Sequence, residues 1–300
     1  MTDAISLRGT LGNGFHAPSP GQSHTSILTT AFQGGVQTQT GTYPVDTPIS
    51  KFYGATTLKP EKSTNYGLGM VLKPVSALTV TIDGYRIDVS NRIGVSKVYN
   101  VTAANIAAQP ALAAVGVGGA VQYFTNAFDT RTQGLDFVAT YRTRAAAAML
   151  NFTLAYNYNK SKVTKYDPAV ISDDQITDIK HGAPNHRAVF TTNATLGDFS
   201  LNLRENYYSW WTAQLSYGGG QHFGSKFTTD LDASYTFMEK FTITAGAQNI
   251  FDTRPDKLST ASGTIFPITG GTSDGQIYPS SGGPFGLNGG FWYVRLRAKF

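Results

Sequence analysis

Two pairs of side chains have the types and spacing for metal or acid–base chemistry. His181 and His186 flank a Gly-Ala-Pro-Asn segment, and imidazoles are common metal ligands. A metal site needs more than two ligands, and the chain has only five histidines and no cysteine, so a loop entering a strand is the favoured interpretation. Asp230 and Asp232 share one face of an alternating segment, where they would form an acid–base pair only around a bound substrate. We interpret them as a hydrated wall, and we predict no metal and no cofactor.

The sequence carries no motif typical of an enzyme. Gly67–Gly69 and Gly218–Gly220 are not followed by a helical pattern, so they do not form phosphate cradles. No Gly-x-Ser-x-Gly segment supports a Ser-His-Asp set. The formal charge of +5 is mild for 300 residues, and there is no Lys/Arg run of five or more. We therefore predict that the chain is not an enzyme and has no nucleic-acid partner.

Aromatic and cationic side chains are the stronger candidates for ligand binding. Four rings cluster where a strand meets a long loop: Tyr207, Tyr208, Trp210 and Trp211. They are typical of a stacking surface near a mouth or of an aromatic girdle at a membrane interface, and the girdle is favoured. Because neighbouring strand residues face opposite sides, both interpretations can hold for different rings. Four arginines stand at predicted water-facing positions, where they would attract an anionic ligand: Arg8, Arg204, Arg295 and Arg297.

The elements that position these residues alternate with a period of two. In the last segment, one face holds Trp292, Val294, Leu296, Ala298 and Phe300, and the other holds Tyr293, Arg295, Arg297 and Lys299. The pattern recurs in segments that begin near Ile5, Tyr66, Leu78, Leu135, Leu150, Ala188, Phe199, Leu231 and Phe241. The sequence therefore predicts ten strands. Between Leu78 and Val89 the apolar parity changes at Gly84, which predicts a β-bulge there.

The predicted connections alternate between short and long. Short ones lie near Lys73–Ala77, Thr143–Ala147, Gly197–Asp198 and Met238–Lys240. Long ones lie near His16–Leu58, Gly94–Gln122, Tyr166–Asn185, Thr212–Lys226 and Asp252–Gly289. The apolar stretch Val101–Val121 contains Asn105, Gln109 and Pro110, so a short helix within a loop is favoured over a transmembrane helix. Short turns on one rim and long loops on the other are typical of an outer-membrane barrel.

Composition supports a barrel rather than a soluble sandwich. Charged residues are 14%, well below the roughly 25% of soluble domains. Aromatic residues are 12% and glycines number 32, which suits aromatic girdles and glycine-rich turns. We predict an all-β fold, an antiparallel up-and-down transmembrane β-barrel. Residues 1–12 show no secretory-signal pattern, so we expect the chain to be a portion of a longer protein.

Several segments resemble TonB-dependent outer-membrane receptors, in the order in which that family carries them. Residues 14–19 resemble the family's Gly-Phe-Arg-x-Pro-Ser motif, with His16 where arginine is usual. Residues 58–63 resemble the Leu-x-Pro-Glu-x-Ser motif, and residues 85–93 resemble the strand that follows it. Residues 249–252 resemble the Asn-Leu-Phe-Asp motif before the last long loop. The resemblance covers nearly the whole chain, which ends in an aromatic residue as the family does.

The resemblance implies that residues 1–300 are the C-terminal part of a barrel of the 22-strand type, without plug domain or TonB box. Ten strands would then form an open sheet or curl shut. In a complete receptor the lumen arginines pair with plug carboxylates. Trp292 and Phe300 belong to a terminal pattern that resembles the signal read by the barrel assembly machinery.

The family implies uptake of a scarce nutrient, such as a ferric siderophore or similar iron chelate, across the outer membrane of a Gram-negative bacterium. The TonB system would act only through a plug. The expected partners are therefore outer-membrane lipid, the assembly machinery and a small-molecule ligand. Two alternatives remain open at this point: a passive small pore or surface-loop adhesin barrel, and a soluble all-β domain.

Overall fold

The computed structural model describes residues 4–33, 36–214, 220–258, 277–279 and 283–299. The strands are β1 (Ile5–His16), β2 (Ile27–Gln33), β3 (Val36–Thr42), β4 (Glu61–Val75), β5 (Leu78–Val95), β6 (Tyr99–Asn100), β7 (Ala120–Gln122), β8 (Phe124–Ala145), β9 (Ala148–Tyr166), β10 (His186–Leu196), β11 (Phe199–Tyr208), β12 (Trp211–Gln214), β13 (Gly220–Phe223), β14 (Lys226–Phe237), β15 (Phe241–Gln248) and β16 (Phe291–Ala298). The helices are α1 (Pro20–His24), α2 (Pro48–Phe52), α3 (Ala103–Ala108) and α4 (Asp173–His181).

One large sheet carries the fold. It has ten strands in the order β1-β4-β5-β8-β9-β10-β11-β14-β15-β16, so each strand pairs with the next long strand of the chain. All of these pairings are antiparallel. The predicted ten strands and their up-and-down order are confirmed. The sheet is open, with β1 and β16 as its two edges.

The two faces of this sheet differ in polarity, as the alternation predicts. One face carries large apolar side chains that the protein leaves exposed. The exposed fraction is 71% for Leu68, 74% for Val294 and 66% for Leu296. A soluble protein of this size would cover such a continuous apolar surface, because leaving it in water costs about 25 cal/mol per Å². The apolar face therefore fits a hydrocarbon environment, and the opposite, polar face fits water.

Aromatic rings mark both ends of the apolar face. At the short-turn end, Phe199 and Tyr235 have ring centroids 4.5 Å apart. At the long-loop end, Tyr207 lies 4.9 Å from Phe227. Phe227 and Phe237 are ten residues apart on β14. At about 3.4 Å per residue and a tilt of about 40°, they are separated by about 26 Å along the membrane normal, which matches an apolar band of about 25 Å.

The predicted bulge at Gly84 is wrong. β5 pairs without interruption from Val80 through Gly84 to Val89 with both β4 and β8, and its register shifts lie outside this stretch. Continuous pairing on both sides fixes the side-chain parity, so Tyr85 and the apolar residues after it lie on the polar face. Tyr85 is accommodated because its ring lies over Gly134 of β8, where a Cβ atom would collide with it. The change in apolar parity therefore means that apolar residues after Gly84 face the polar side of a regular strand, and not that the strand contains an extra residue.

The long loops build a second layer with its own core. β2, β3, β6 and β7 form a small sheet from two different loops, and α3 lies in the stretch Val101–Val121 as predicted. Val101, Leu112 and Val121 are buried in one cluster of this layer. In a second cluster Tyr123 is 1% exposed and donates its hydroxyl to the carbonyl of Tyr53 at 2.7 Å. Burial raises the pKa of the Tyr123 phenol.

No helix in the described ranges is long and apolar enough to cross a membrane. Two kinds of interaction hold the described chain together. Loop side chains bury each other in clusters, whereas the strands of the large sheet are held by hydrogen-bonded ladders between faces of opposite polarity.

Candidate functional site

The polar face carries two exposed arginines, one at its loop end and the other about 10 Å below it, near mid-depth. Arg204 lies on the polar face of β11, and Arg187 lies on the same face of the neighbouring strand β10. Both side chains are exposed, and neither forms an ion pair within the part of the chain that the structure describes. We call Arg187, Arg204, Tyr208 and Trp210 the rim site. Sequence analysis missed Arg187, although its parity with the polar residues of β10 was available.

The four predicted aromatic residues separate into different environments. Tyr207 lies on the apolar face against Phe227, as a girdle residue does. Tyr208 lies on the polar face and is 7% exposed, with the guanidinium carbon of Arg187 5.3 Å from its ring centroid. Its ring also contacts Phe285 at 5.3 Å. Adjacent residues of one strand thus serve the two faces, as the period of two requires.

Trp211 is part of the loop core. It is 2% exposed and stacks on Phe223 with ring centroids 5.4 Å apart and an interplanar angle of 11°. Leu258, which is 3% exposed, completes the cluster from the last long loop. β12 and β13 pair so that Trp211 stands opposite Phe223, which explains the stack. The cluster therefore joins the loop that carries β12 and β13 to the last long loop.

Trp210 is the tryptophan that remains accessible in this cluster, at 39% exposure. Two histidine rings contact it, one from an earlier and one from a later part of the chain. The ring centroid of His181 in α4 lies 5.2 Å from that of Trp210, and the ring centroid of His222 in β13 lies 5.1 Å from it. The other predicted histidine, His186, accepts or donates a hydrogen bond with the Tyr156 hydroxyl at 2.7 Å on the apolar face. His181 and His186 therefore belong to separate aromatic contacts.

The two carboxylates of β14 are engaged with neighbouring amides. Asp230 accepts from the backbone N–H of Asn249 at 2.8 Å and from the side chain of Asn206 at 3.3 Å. Asp232 accepts from the Asn202 amide at 3.0 Å. Arg204 stands opposite Asp230 in the register without forming an ion pair with it in the described structure. This arrangement leaves the guanidinium available to a ligand, and the carboxylates act as a polar wall.

Arg8 forms a cross-strand ion pair on the polar face. Its Nε lies 2.8 Å from Asp83 Oδ1, and its Nη2 reaches the other carboxylate oxygen. The two side chains span β4 by passing over Gly69, which pairs with Arg8 on one side and with Asp83 on the other. A Cβ atom at Gly69 would collide with both side chains. The glycine is therefore the position that lets strands two apart share an ion pair.

The remaining predicted residues lie on β16, the edge strand. Arg295 and Arg297 are exposed on the polar face, opposite Thr244 and Thr242, toward the short-turn end. Trp292 is 69% exposed on the apolar face. Phe300 lies outside the described residues. The arginines of β16 thus lie toward the short-turn end of the polar face, whereas the rim site extends from the loop end to mid-depth.

Comparison with known proteins shows which family this sheet belongs to. A family model described as TonB dependent receptor-like, beta-barrel matches residues 1–250. The chain belongs to this family. Its polar face is therefore the lumen side of a receptor barrel and its apolar face is the outer side. No curated protein sequence matches the chain.

Solved receptor structures share the fold. A variant of the ferric enterobactin receptor of Pseudomonas aeruginosa, solved with enterobactin, has 17% identity and a TM-score of 0.64, with 100% of this chain and 39% of that chain covered. The siderophore receptor PirA of Acinetobacter baumannii has 14% identity and a TM-score of 0.62, with 100% and 40% covered. The outer membrane transporter YddB of Escherichia coli has 12% identity and a TM-score of 0.53, with 81% and 33% covered.

This receptor barrel therefore spans about two fifths of the length of the first two of these structures, 39% and 40%. At such identities the similarity establishes the fold. The family and these neighbours are receptors and transporters, which agrees with the lack of any enzyme motif in the sequence.

Proposed function

We propose that this chain is the C-terminal part of an outer-membrane receptor barrel that imports an anionic iron chelate, such as a ferric siderophore, with energy from the TonB system. Family membership supports the receptor role, and the names of two similar structures, a ferric enterobactin receptor and a siderophore receptor, support the ligand class. The exposed arginines on the lumen side beneath the long loops carry the proposal. They supply positive charge where a ligand would enter from outside.

The rim site has the chemistry that an anionic, ring-bearing chelate requires. Arg204 offers guanidinium donors, and charge-assisted hydrogen bonds from arginine are about twice as strong as neutral ones. Trp210 adds a partly exposed ring, held between His181 and His222, to the same surface. Tyr208 holds Arg187 beside this surface through a cation–π contact. Trp211 keeps the loop base in place, so its contribution to binding is to position the rim site.

The lower lumen has a different role in this proposal. Arg295 and Arg297 stand near the short-turn end, far from the entry side, where a plug domain would contact the wall. Arg8 already has an internal partner, so its ion pair with Asp83 stiffens the wall instead of holding a ligand. Trp292 and Phe300 belong to the terminal pattern that the barrel assembly machinery would read.

The open sheet requires a partner on each edge. In hydrocarbon every backbone N–H and C=O must be paired inside protein, and an open sheet leaves one row unpaired on β1 and one on β16. We propose that further strands of the barrel pair with both edges. The TonB system would then reach this chain only through a plug.

Iron uptake tests the proposal directly. We expect deletion of the locus that encodes this chain to abolish growth on one ferric chelate as sole iron source, and restoration of the gene to recover it. Arg204→Ala combined with Trp210→Ala should weaken chelate binding at least tenfold, because a hydrogen bond to a charged group contributes about 1.5–3 kcal/mol. Phe227→Ala, on the outer side of the neighbouring strand, is the matched control.

The same experiment separates the active receptor from a passive pore. Uptake that stops when the proton-motive force is collapsed supports energy from the TonB system. Uptake that continues unchanged would identify a passive pore. Unimpaired growth on every ferric chelate tested after deletion would refute iron import altogether.

A further inference from the structure

A group of cations lies on the outer face of the barrel, away from the lumen. Its members are Lys62 of β4, Arg86 of β5, Arg131 of β8, and Lys160 and Lys162 of β9, and we call them the outer cation patch. They share side-chain parity with the apolar residues Leu68 and Leu135, so they point outward. None of the rim-site residues belongs to this patch.

The strand register brings the patch together. Arg131 stands directly opposite Lys162, and Asp88 stands opposite Arg131 on its other side. Arg86 is two residues before Asp88 on the same face of β5. Like charges directly opposite each other on a sheet are destabilising, so the Arg131–Lys162 pair is a position that an anion would relieve.

The patch lies at the height of lipid headgroups. Tyr158 is the last ring of β9 on the outer face, and Lys160 and Lys162 follow it by two and four residues toward the long loops. At about 3.4 Å per residue and a tilt of about 40°, they stand about 5 and 10 Å beyond the ring. Arg86 marks the same boundary, because its guanidinium carbon lies 5.8 Å from the centroid of the Tyr66 ring.

One carboxylate orients part of the patch without neutralising it. Asp88 accepts from Arg86 Nε at 2.8 Å and from Arg131 Nε at 2.6 Å, so it holds both guanidinium groups in place. Each guanidinium has five N–H donors in a fixed fork, so donors remain for a further anion. Five cations and one carboxylate leave a local charge of +4.

The patch lies on four adjacent strands of the described sheet. The outward positions of β1, β10, β11, β14, β15 and β16 hold no lysine or arginine among the residues that the structure describes. β10 begins at His186, which pairs with Tyr158, and β11 and β14 end near the same level. β4, β5, β8 and β9 are therefore the strands that carry this group of cations beyond the ring level on the outer face.

We propose that the outer cation patch binds the phosphate groups of an anionic lipid in the leaflet around the long-loop end of the barrel. The charge selects phosphate, for which arginine has complementary donor geometry. The apolar face directly below the patch, with exposed Leu68 and Leu135, receives the acyl chains of the same molecule. A free phosphate ion would use only the upper half of this surface, so a lipid is the occupant that fits both halves.

Native mass spectrometry of the full chain in detergent micelles tests the proposal. The probes are lipid A with two phosphates, its monophosphorylated derivative and phosphatidylcholine. The patch variant combines Arg86→Gln, Arg131→Gln, Lys160→Gln and Lys162→Gln. The control variant removes the same charge from the short-turn end through Lys73→Gln, Arg142→Gln, Arg144→Gln and Lys240→Gln.

We expect the wild type to retain the probes in order of their phosphate number. If each interfacial cation contributes about fivefold independently, removal of four should weaken lipid A binding about 600-fold, and the control variant should change less than about twofold. Equal loss in both variants, or equal retention of all three probes, would overturn the proposal. Displacement of lipid A by an equimolar amount of inorganic phosphate would overturn the lipid as occupant.

A smaller variant guards against misfolding. Arg131→Gln with Lys162→Gln removes only the directly opposed pair, and its far-ultraviolet circular dichroism should match the wild type. We expect it to lose lipid A binding by an intermediate factor. An unchanged affinity in this folded variant would also refute the assignment.

Discussion

Adjacent threonines of β10 offer a direct measurement of the two-faced sheet. Thr192 pairs with Phe152 and Leu203 on the outer face, whereas Thr191 pairs with Thr153 and Arg204 on the lumen face. Substitution of each by arginine introduces the same side chain at nearly the same depth, on opposite sides of one strand. The pair therefore isolates the environment of the face from every other property of the substitution.

The depth of Thr192 sets the expected cost. It lies six residues from His186 and four residues from Leu196 on the same strand. With about 3.4 Å per residue and a tilt of about 40°, it is about 16 Å from one end of the band and about 10 Å from the other, close to the midplane. An arginine on the lipid face at this depth costs about 2–4 kcal/mol. Thr191→Arg meets only the like charge of Arg204, which costs up to about 1 kcal/mol.

Equilibrium unfolding in phospholipid vesicles measures the difference. Urea titrations followed by tryptophan fluorescence and by circular dichroism should give the free energy of unfolding for the wild type and both variants. We expect Thr192→Arg to be less stable than Thr191→Arg by at least 1 kcal/mol, the gap between the two costs above. Equal destabilisation, or a larger loss for Thr191→Arg, would refute the assignment of the outer face to hydrocarbon.

Three further predictions concern the loops and the lumen wall. Trp211→Ala should remove about 3–5 kcal/mol of packing from the loop layer, seen as faster protease cleavage of the loops with the sheet intact. The Gly290 N–H and the Arg254 guanidinium lower the pKa of Asp252, so this tether should hold above the ordinary carboxyl range near about 4 and be lost as pH falls through the lower folded value. The hydrogen-exchange protection factor of Gly290, which is corrected for the intrinsic pH dependence of exchange, checks this, and in Asp252→Asn it should not change with pH. Gly69→Ala should break the ion pair that crosses it and destabilise the sheet, whereas Gly12→Ala, with open space at its Cβ position, should not; thermal unfolding compares them.

Local pattern was sufficient to predict the strands. A period of two is a property of the extended backbone itself, so apolar and polar residues in alternation reveal both the strand and its two faces without any knowledge of neighbours. The four hairpins followed as well, because short turns force consecutive strands to pair. Pairing across the long loops was predicted from the alternation of short and long connections that is typical of a barrel. The same reasoning put Arg204, Arg295 and Arg297 on the polar face, where the structure has them.

Parity at Gly84 shows where this reasoning ends. The sequence shows only that the apolar residues move to the other face of the strand. A β-bulge would produce this pattern, and so would apolar residues that lie on the polar face of a regular strand. Pairing with β4 and β8 decides between them, because two continuous ladders leave no room for an extra residue. The outward charges that follow, Arg86 and Asp88, then lie above the apolar band.

The rim aromatics and the arginine pairs depended on tertiary contacts. Tyr207 and Trp211 are of similar type and near each other in sequence, yet one lies on the lipid face and the other is sealed by Phe223 and a distant loop. Likewise nothing in the sequence around Arg8 reveals that Asp83 is its partner across a glycine. Sequence by itself determined strands, faces and family resemblance, since these depend on local geometry. Burial and pairing depend on which strands and loops meet, and only the folded chain decides that.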